Sequence, residues 1–519
     1  MAVEFLTAKE AASRIKDNMT VATGGFVKVN VAEEVESELE KRFLEQSHPR
    51  NLTLVYAAGQ GDGKDRSLNH FAHIGMIKRV IGGHWNLVPE IGKMALENKI
   101  EAYNLPQGVI THMYRDAATK KPGTYTKVGL QTFVDPDLQG GKLNEITKDD
   151  IVKKIEIEGE EYLFYKTPKI DVVILRGTYA DELGNITLEH EGAVLDATSM
   201  ATACKNNGGI VIVQVKDIVQ AGSLDPKLVK IPCTMVSIVV KTSDEIAYHG
   251  QTLDVFYSPF YNGEKRKVLS SVAPMALNNR KVIGRRGAML MKKDWVVNLG
   301  IGIPEAVGAV VNEEGQGNKM TLTVESGIHG GVPAGGGEFG MAINPYMIFD
   351  QDKQFDFYDG GGLDITFLGL AQCDQKGNIN VSKFGPKIAG CGGFINISQN
   401  TKKVVFCGTF TAGGLKQEIG EGRLKIVNEG SAKKFVKEVE QVTFSAQYAI
   451  QTGQQVLYIT ERAVFELTKD GLLLTEIAPG VDLQTDILNQ MEFTPQISDD
   501  LKVMDTKIFD HACMGLTLE

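Results

Sequence analysis

The sequence predicts an α/β protein made of two similar open domains with mainly parallel sheets, and three observations carry that reading. Short β-branched runs alternate with amphipathic stretches, and glycines stand at the junctions, which is the strand–helix–strand grammar of a parallel sheet. The grammar also repeats. Asp171-Val-Val-Ile-Leu, followed by Asp181-Glu-Leu-Gly184-Asn185-Ile186, returns at one constant offset as Asp364-Ile-Thr-Phe-Leu and Asp374-Gln-Lys-Gly377-Asn378-Ile379. A weaker match, at a larger offset, lays Leu52-Thr-Leu-Val-Tyr-Ala57-Ala-Gly59 on Met320-Thr-Leu-Thr-Val-Glu325-Ser-Gly327.

Taken in order, Thr7 with Glu10 three residues on is a capping box that opens a helix over 7–18. A strand over 20–23 ends in Gly24-Gly25, and 31–44 is an amphipathic helix. The next strand, 51–56, closes on the glycine-rich 57–63, and 80–85 and 210–216 continue the sheet. Because the two repeat offsets differ, the first half carries extra chain between the matched points, expected near 115–165. A polar, turn-rich stretch over 257–281 sets the boundary near 275, giving domains 1–275 and 276–519. In the second half, 295–299 is a strand, Gly300-Ile-Gly302 its turn, and Pro304 opens a helix where a missing N–H costs nothing. A strand over 320–324 then runs into Glu325. In the tail, 456–467 alternates as two short strands, and 486–491 is helical.

A chain of 519 residues has room for two or more domains with ample cores. The net charge of −10 leaves no dominant basic face, which speaks against nucleic-acid binding. It leaves room for a small anionic ligand, which needs only a few local donors. The 56 glycines fall in short clusters, as turns and ligand-approach loops do. Six cysteines without a CxxC pair are expected as free thiols in a reducing compartment. No secretory signal and no run of about 18 apolar residues is present, so a cytoplasmic protein without a membrane span is expected.

Glu325 lies at the carboxyl end of a strand, where it enters a glycine turn. That edge is where ligands bind in open α/β sheets. On the residues alone it reads either as a capping or solvated carboxylate or as a nucleophile. The repeat favours the second: the equivalent residue in the first half is Ala57, and a carboxylate needed for the fold should occur in both copies. Gly300-Ile-Gly302-Ile-Pro-Glu305 lacks the third glycine of a dinucleotide fingerprint and reads as a turn offering amides to a polar ligand. Ser326 is a poor nucleophile-elbow serine, because Val324 and Ile328 stand where that motif has glycines. His70, His73 and His84 read as packing residues, with no acid completing a metal pattern. Cys391, within Gly390-Cys-Gly-Gly393, reads as a small filler. Gln107, in Pro106-Gln107-Gly108, is either a plain turn residue or an amide donor into a cleft.

Glu325-Ser-Gly with Gly330-Gly331, Asn298-Leu-Gly-Ile-Gly-Ile-Pro304, Pro106-Gln107-Gly108, Gly361-Gly-Leu-Asp364, Gly390-Cys-Gly-Gly393 and Thr411-Ala-Gly-Gly414 together resemble the family I coenzyme A transferases. The likeness runs along essentially the whole chain in the right order. It is greatest to the propionate (or lactate) group, which joins both halves in one polypeptide. The 3-oxoacid enzymes have Ser-Glu-Asn-Gly where this chain has Val324-Glu325-Ser326-Gly327.

The resemblance implies a ping-pong transfer of CoA between acyl-CoA and small carboxylic acids, in a cleft between the two domains. It makes Glu325 the active-site glutamate, Gln107 the oxyanion-hole amide, and Gly392 or Gly393 the backbone donor. CoA contacts would fall at Asn298, Gly300, Gly302, Gly361, Gly362, Gly390, Gly413 and Gly414. CoA is then a substrate, with no permanently bound cofactor and no metal, and a homodimer or homotetramer is expected. A glutamate carboxylate, with an unperturbed pKa of about 4.3, is anionic at neutral pH without an activating base. That fits the absence of a Ser-His or Cys-His constellation. The rival readings are a 3-oxoacid transferase, an acyl-CoA hydrolase using the same glutamate, and a non-catalytic acyl-CoA-binding protein.

Overall fold

The computed structural model describes residues 2–268 and 274–519, so part of the expected 257–281 linker, residues 269–273, lies outside the described residues. The chain packs as two compact units. The first is Met1–Lys267 with Val324–Asp356 and Phe384–Asn396; the second is Val268–Thr323, Phe357–Lys383 and Ile397–Glu519. Two stretches from the C-terminal half of the sequence, including Glu325, therefore belong to the first unit.

In the first unit the main sheet runs, in spatial order, Glu4–Phe5, Ile238–Lys241, Ile210–Val219, Val172–Asp181, Thr20–Thr23, Leu52–Tyr56, Ile77–Gly82 and Glu101–Asn104. Every pairing along it is parallel. The central strands are apolar on both faces, as a sheet covered on both sides requires, and Val172, Val173, Ile174, Val211, Ile212 and Val213 have no exposed surface. The capping box forms: Thr7 N–H donates to Glu10 Oε2 at 2.9 Å and Glu10 N–H to Thr7 Oγ1 at 3.3 Å. The helix stops at Ser13 rather than 18, and Asn18 adopts a left-handed φ of +64° that no helix continues through.

The strand expected over 80–85 is Ile77–Gly82. It ends early because two glycines meet the neighbouring strand end. A Cβ on Gly82 would lie 2.3 Å from the Tyr56 ring, and one on Gly83 2.1 Å from the Ala57 carbonyl. Part of the extra length of the first half is an antiparallel sheet of Gly123–Thr126, Glu160–Lys166 and Val152–Ile157, at the expected insertion. Part lies earlier, in Ile77–Gly82 and Glu101–Asn104, which extend the main sheet beyond Leu52–Tyr56.

The second unit repeats the design. Its strands run Thr321–Val324, Val296–Leu299, Ile365–Gly369, Lys403–Cys407 and Gln455–Ile459, all parallel, then Ala463–Thr468, Gly471–Ile477 and Gln496–Val503. The two tail strands expected over 456–467 are Gln455–Ile459 and Ala463–Thr468, paired antiparallel. Residues 486–491 form only short turns of π and 3-10 type.

The registers reproduce both repeat offsets. Val21 stands opposite Leu54 on one side and Val172 on the other. In the second unit Val297 stands opposite Leu322 and Ile365, which are the repeat equivalents of Leu54 and Val172. The Asp-x-x-Gly-Asn turn is also the same object twice. Asp181 accepts the N–H groups of Leu183 and Asn185 at 3.0 and 2.9 Å, and Asp374 those of Lys376 and Asn378 at 2.9 and 3.0 Å. Gly184 and Gly377 hold left-handed φ values of +91° and +92°.

Candidate active site

Glu325 follows the buried Thr321–Val324 strand and is itself half-buried. Its turn is fixed by backbone. Gly327 N–H donates to Val324 O at 3.1 Å, and Phe349 N–H to Gly327 O at 3.0 Å. A Cβ on Gly327 would sit 2.0 Å from the Phe349 carbonyl, at a φ of +107°, so only glycine fits. Ser326 is fully buried and its hydroxyl donates to Gly340 O at 2.7 Å, which makes it a structural residue.

Gln107 begins the helix Gln107–Ala118, directly after Pro106. Its backbone N–H, an orphan at a helix start, donates to Gly392 O at 2.9 Å. The loop around Gly392 is held in turn by the ends of two sheet strands. Cys391 N–H donates to Asn104 Oδ1 at 2.9 Å, and Asn104 Nδ2 donates to Gly82 O and Gly83 O at 2.8 and 2.6 Å. Trp85 N–H donates to Ala389 O at 2.7 Å. Gly108 N–H donates to Asn396 Oδ1 at 3.1 Å, and a Cβ there would lie 2.4 Å from Phe355. The Pro-Gln-Gly sequence is thus a close-packed junction.

Of the two expected backbone donors, Gly392 gives its N–H to Gly83 O at 2.7 Å. Among the described residues no protein acceptor takes the N–H of Gly393. Cys391 is buried, and burial pushes its thiol up, away from a reactive thiolate. His84, read from sequence as a packing residue, stands beside this loop. A Cβ on Gly392 would lie 3.8 Å from both Gln107 Oε1 and His84 Cβ. Burial, with Lys387 nearby, pushes the His84 imidazole down to about 4, so it is neutral at pH 7.

Glu325, Gln107, Gly390, Gly392 and Gly393 all belong to the first unit, whereas Asn298, Gly300, Gly302, Gly361, Gly362, Gly413 and Gly414 belong to the second. Gly390 is needed for packing, since a Cβ there would lie 2.8 Å from Trp85. Asn298 is buried within its sheet, where Oδ1 accepts from Thr366 Oγ1 at 3.2 Å. Gly361 and Gly362 donate to Tyr358 O and Phe357 O at 3.0 and 2.9 Å, closing the end of the helix Gln351–Asp359. Gly300 N–H donates to Phe367 O at 2.8 Å. Gly413 packs against Ser431, whose Oγ would be 2.5 Å from its Cβ. Gly302 has open space around it, and Gly414 nearly so.

His70 and His73 do meet acids, which sequence spacing did not reveal. His70 lies 2.6 Å from Glu40 and 3.2 Å from Glu33, and His73 2.6 Å from Glu40. Among the described residues no group of three or more His, Cys, Asp or Glu side chains is arranged to hold a metal. No helix of the described residues is long and apolar enough to cross a membrane.

A half-buried carboxylate at a strand end and the 390–393 glycine loop lie in the same unit of a doubled parallel α/β fold. The chain belongs to the coenzyme A transferase family, and it is a CoA-transferase. The family model, described as coenzyme A transferase, matches residues 5–242. The chain is 47% identical to the caffeate CoA-transferase of Acetobacterium woodii, over 99% of this chain and 98% of that one. It is 46% identical to the acetate CoA-transferase YdiF of Escherichia coli K12, over 99% and 97%. The crystal structure of the acyl-CoA transferase YdiF apoenzyme from Escherichia coli O157:H7 matches with a TM-score of 0.95 at 44% identity, covering 100% of this chain and 98% of that one. The thioester complex of that protein with CoA matches at 0.93, also at 44% identity and with the same coverage.

Proposed function

We propose that this enzyme moves CoA between short-chain acyl-CoA thioesters and free carboxylates of the acetate, propionate, butyrate or lactate kind, with Glu325 carrying CoA as a glutamyl thioester. The observation that carries the reading is the gathering, in one compact unit, of the Glu325 turn, the Gln107 helix start and the 391–393 loop with its open Gly393 N–H. The CoA thioester complex of a 44%-identical relative supports the intermediate. The enzyme would act in the cytoplasm as a homo-oligomer.

The Glu325 carboxylate attacks the acyl carbonyl, the C–S bond breaks, and an acyl-glutamyl anhydride and CoA thiolate result. The thiolate attacks the glutamyl carbonyl, forming glutamyl-CoA and releasing the first acid as its carboxylate. An incoming carboxylate runs both steps in reverse. Each step passes through a tetrahedral oxyanion, which needs preorganised N–H donors; losing one such donor typically costs about 3–4 kcal/mol. Gln107 Nε2 and the Gly393 N–H are the donors assigned here. Water must be kept from the anhydride and the thioester, a task for the bound substrate and the close-packed glycine walls.

The test is mass spectrometry of enzyme mixed with acetyl-CoA and no acceptor. The Glu325 peptide is expected to gain CoA less one water. An adduct on a cysteine or serine, or none, overturns the proposal. Steady CoA release without added carboxylate would instead identify a hydrolase.

A further inference from the structure

A carboxamide works as an oxyanion donor only if its nitrogen, not its oxygen, faces the reacting carbonyl. Gln107 has one of each, so something must fix which way round it sits. Its Nε2 donates to Gln351 Oε1 at 3.3 Å. Gln351 faces the same ambiguity, and its own Nε2 donates to both Asp196 Oδ2 and Thr111 Oγ1 at 2.9 Å. Thr111 Oγ1 in turn donates to Asp196 Oδ2 at 3.3 Å. All four side chains are buried, with Asp196 the most exposed at 6%. The Gln351 backbone is anchored as well, since its N–H donates to Leu195 O at 3.0 Å, beside Asp196.

The relay has one direction. Asp196 Oδ2 receives two hydrogens, so it fixes the nitrogen end of Gln351, which turns Oε1 toward Gln107 and claims one Gln107 N–H. The other Gln107 N–H is left to donate. Burial, with Asp352 and Asp350 nearby, pushes the Asp196 carboxyl up. Its Oδ1 has no partner among the described residues, so a carboxyl that is ionised, or protonated on Oδ1, leaves Oδ2 to accept. The relay begins only two residues beyond Phe349, whose N–H holds the Glu325 turn at Gly327 O.

We propose that Gln351 and Asp196, with Thr111, are positioning residues that lock the Gln107 amide with its nitrogen toward the reacting carbonyl. This rests on the reading of Gln107 as an oxyanion donor. The experiment is a double-mutant cycle on the full chain with acetyl-CoA and propionate. Gln351→Met keeps the side-chain length and removes all three of its side-chain hydrogen bonds. It should lower kcat about tenfold while the KM for acetyl-CoA stays within about twofold. Placed on Gln107→Ala it should lower kcat no further, because the amide it serves is gone.

An unchanged kcat, a loss carried by KM, or a full tenfold loss on top of Gln107→Ala overturns the proposal. If Gln107→Ala alone leaves kcat unchanged, the oxyanion reading itself fails, and the positioning role with it. Should Gln351→Met not fold, as judged by thermal melting, Thr111→Val carries the same test. It should show a kcat loss of about twofold to threefold that vanishes on Gln107→Ala.

Discussion

The turn after Tyr56 and the turn after Val324 occupy the same place in the two copies of the repeat, and they do different work. Both leave a parallel strand at the same register and both reach a glycine at the third position, Gly59 and Gly327. In the first copy the turn is sealed. Ala57 is 3% exposed, and its carbonyl is where Gly83 makes its closest approach, 2.1 Å from a would-be Cβ. In the second copy the same position is the half-buried Glu325. What recurs in both copies is what the backbone demands; what occurs in one is free to be chemistry. The strand ends of the first copy, at Gly82 and Asn104, hold the 389–392 loop.

The largest effect should come from exchanging the two positions. Glu325→Gln keeps shape and loses the nucleophile, so transfer should fall on the order of 10⁴-fold or more. Acetyl-CoA binding, measured by calorimetry, should stay within about threefold, since the amide fills the same space. Transfer within tenfold of the parent would break the asymmetry between the copies. Adding Ala57→Glu should restore nothing. The new carboxylate would be buried without a partner and should destabilise the protein by about 3 kcal/mol or more. An unchanged denaturation midpoint would show that the first turn is open after all.

Much of this comparison is legible in the sequence. The two repeat offsets are enough to pair strands whose registers then agree. The contrast of Ala57 with Glu325 can be read before the fold is known. Where local pattern failed, distant contact decided. The strand over 77–82 ends at Gly82 because Tyr56 and Ala57 lie against the two glycines, which no window around residue 82 contains.

The site divides the same way. Glu325, Gln107 and the 390–393 glycines sit in short motifs that sequence can recognise. Asn104, Gln351 and Asp196 are isolated polar residues far apart in sequence, and what they hold depends on hydrogen bonds that reach 85 residues or more along the chain. His70 and His73 likewise find their acids on the helix Glu33–Gln46, more than a whole strand away in sequence.

The two glycines sharpen the comparison at a smaller scale. Gly327→Ala would drive Cβ against the Phe349 carbonyl at a left-handed φ, with backbone on both sides unable to yield. A loss of about 3 kcal/mol and of most transfer activity is expected. Gly59 has no left-handed φ, and the atoms nearest its Cβ would be those of the His84 side chain, 2.5 Å from Nδ1 and 3.1 Å from Cβ. The imidazole can rotate aside and the His84 Cβ need yield by only a few tenths of an ångström, so Gly59→Ala should lose only about 1 kcal/mol and shift the His84 imidazole resonance by NMR. Equal losses from both substitutions would mean that the first turn is as tightly built as the second.

The smallest effects should come from the Asp-x-x-Gly-Asn turns, where the copies are alike. Asp181 and Asp374 each accept two backbone N–H groups and also the Nδ2 of the turn asparagine, at 3.0 Å in both. That asparagine then reaches out through Oδ1, Asn185 to the N–H of Cys233 and Asn378 to that of Ala446, each at 2.9 Å. Removing the aspartate in either copy frees the same set of groups, which water can partly satisfy because the turns are only part-buried. Asp181→Ala and Asp374→Ala should therefore each lower stability by about 1–2 kcal/mol, with transfer per folded molecule unchanged. Calorimetric melting of the two variants side by side checks this. A loss in one copy more than twice that in the other would mean that identical local geometry hides different packing behind it, and that the repeat is one of shape rather than of energy.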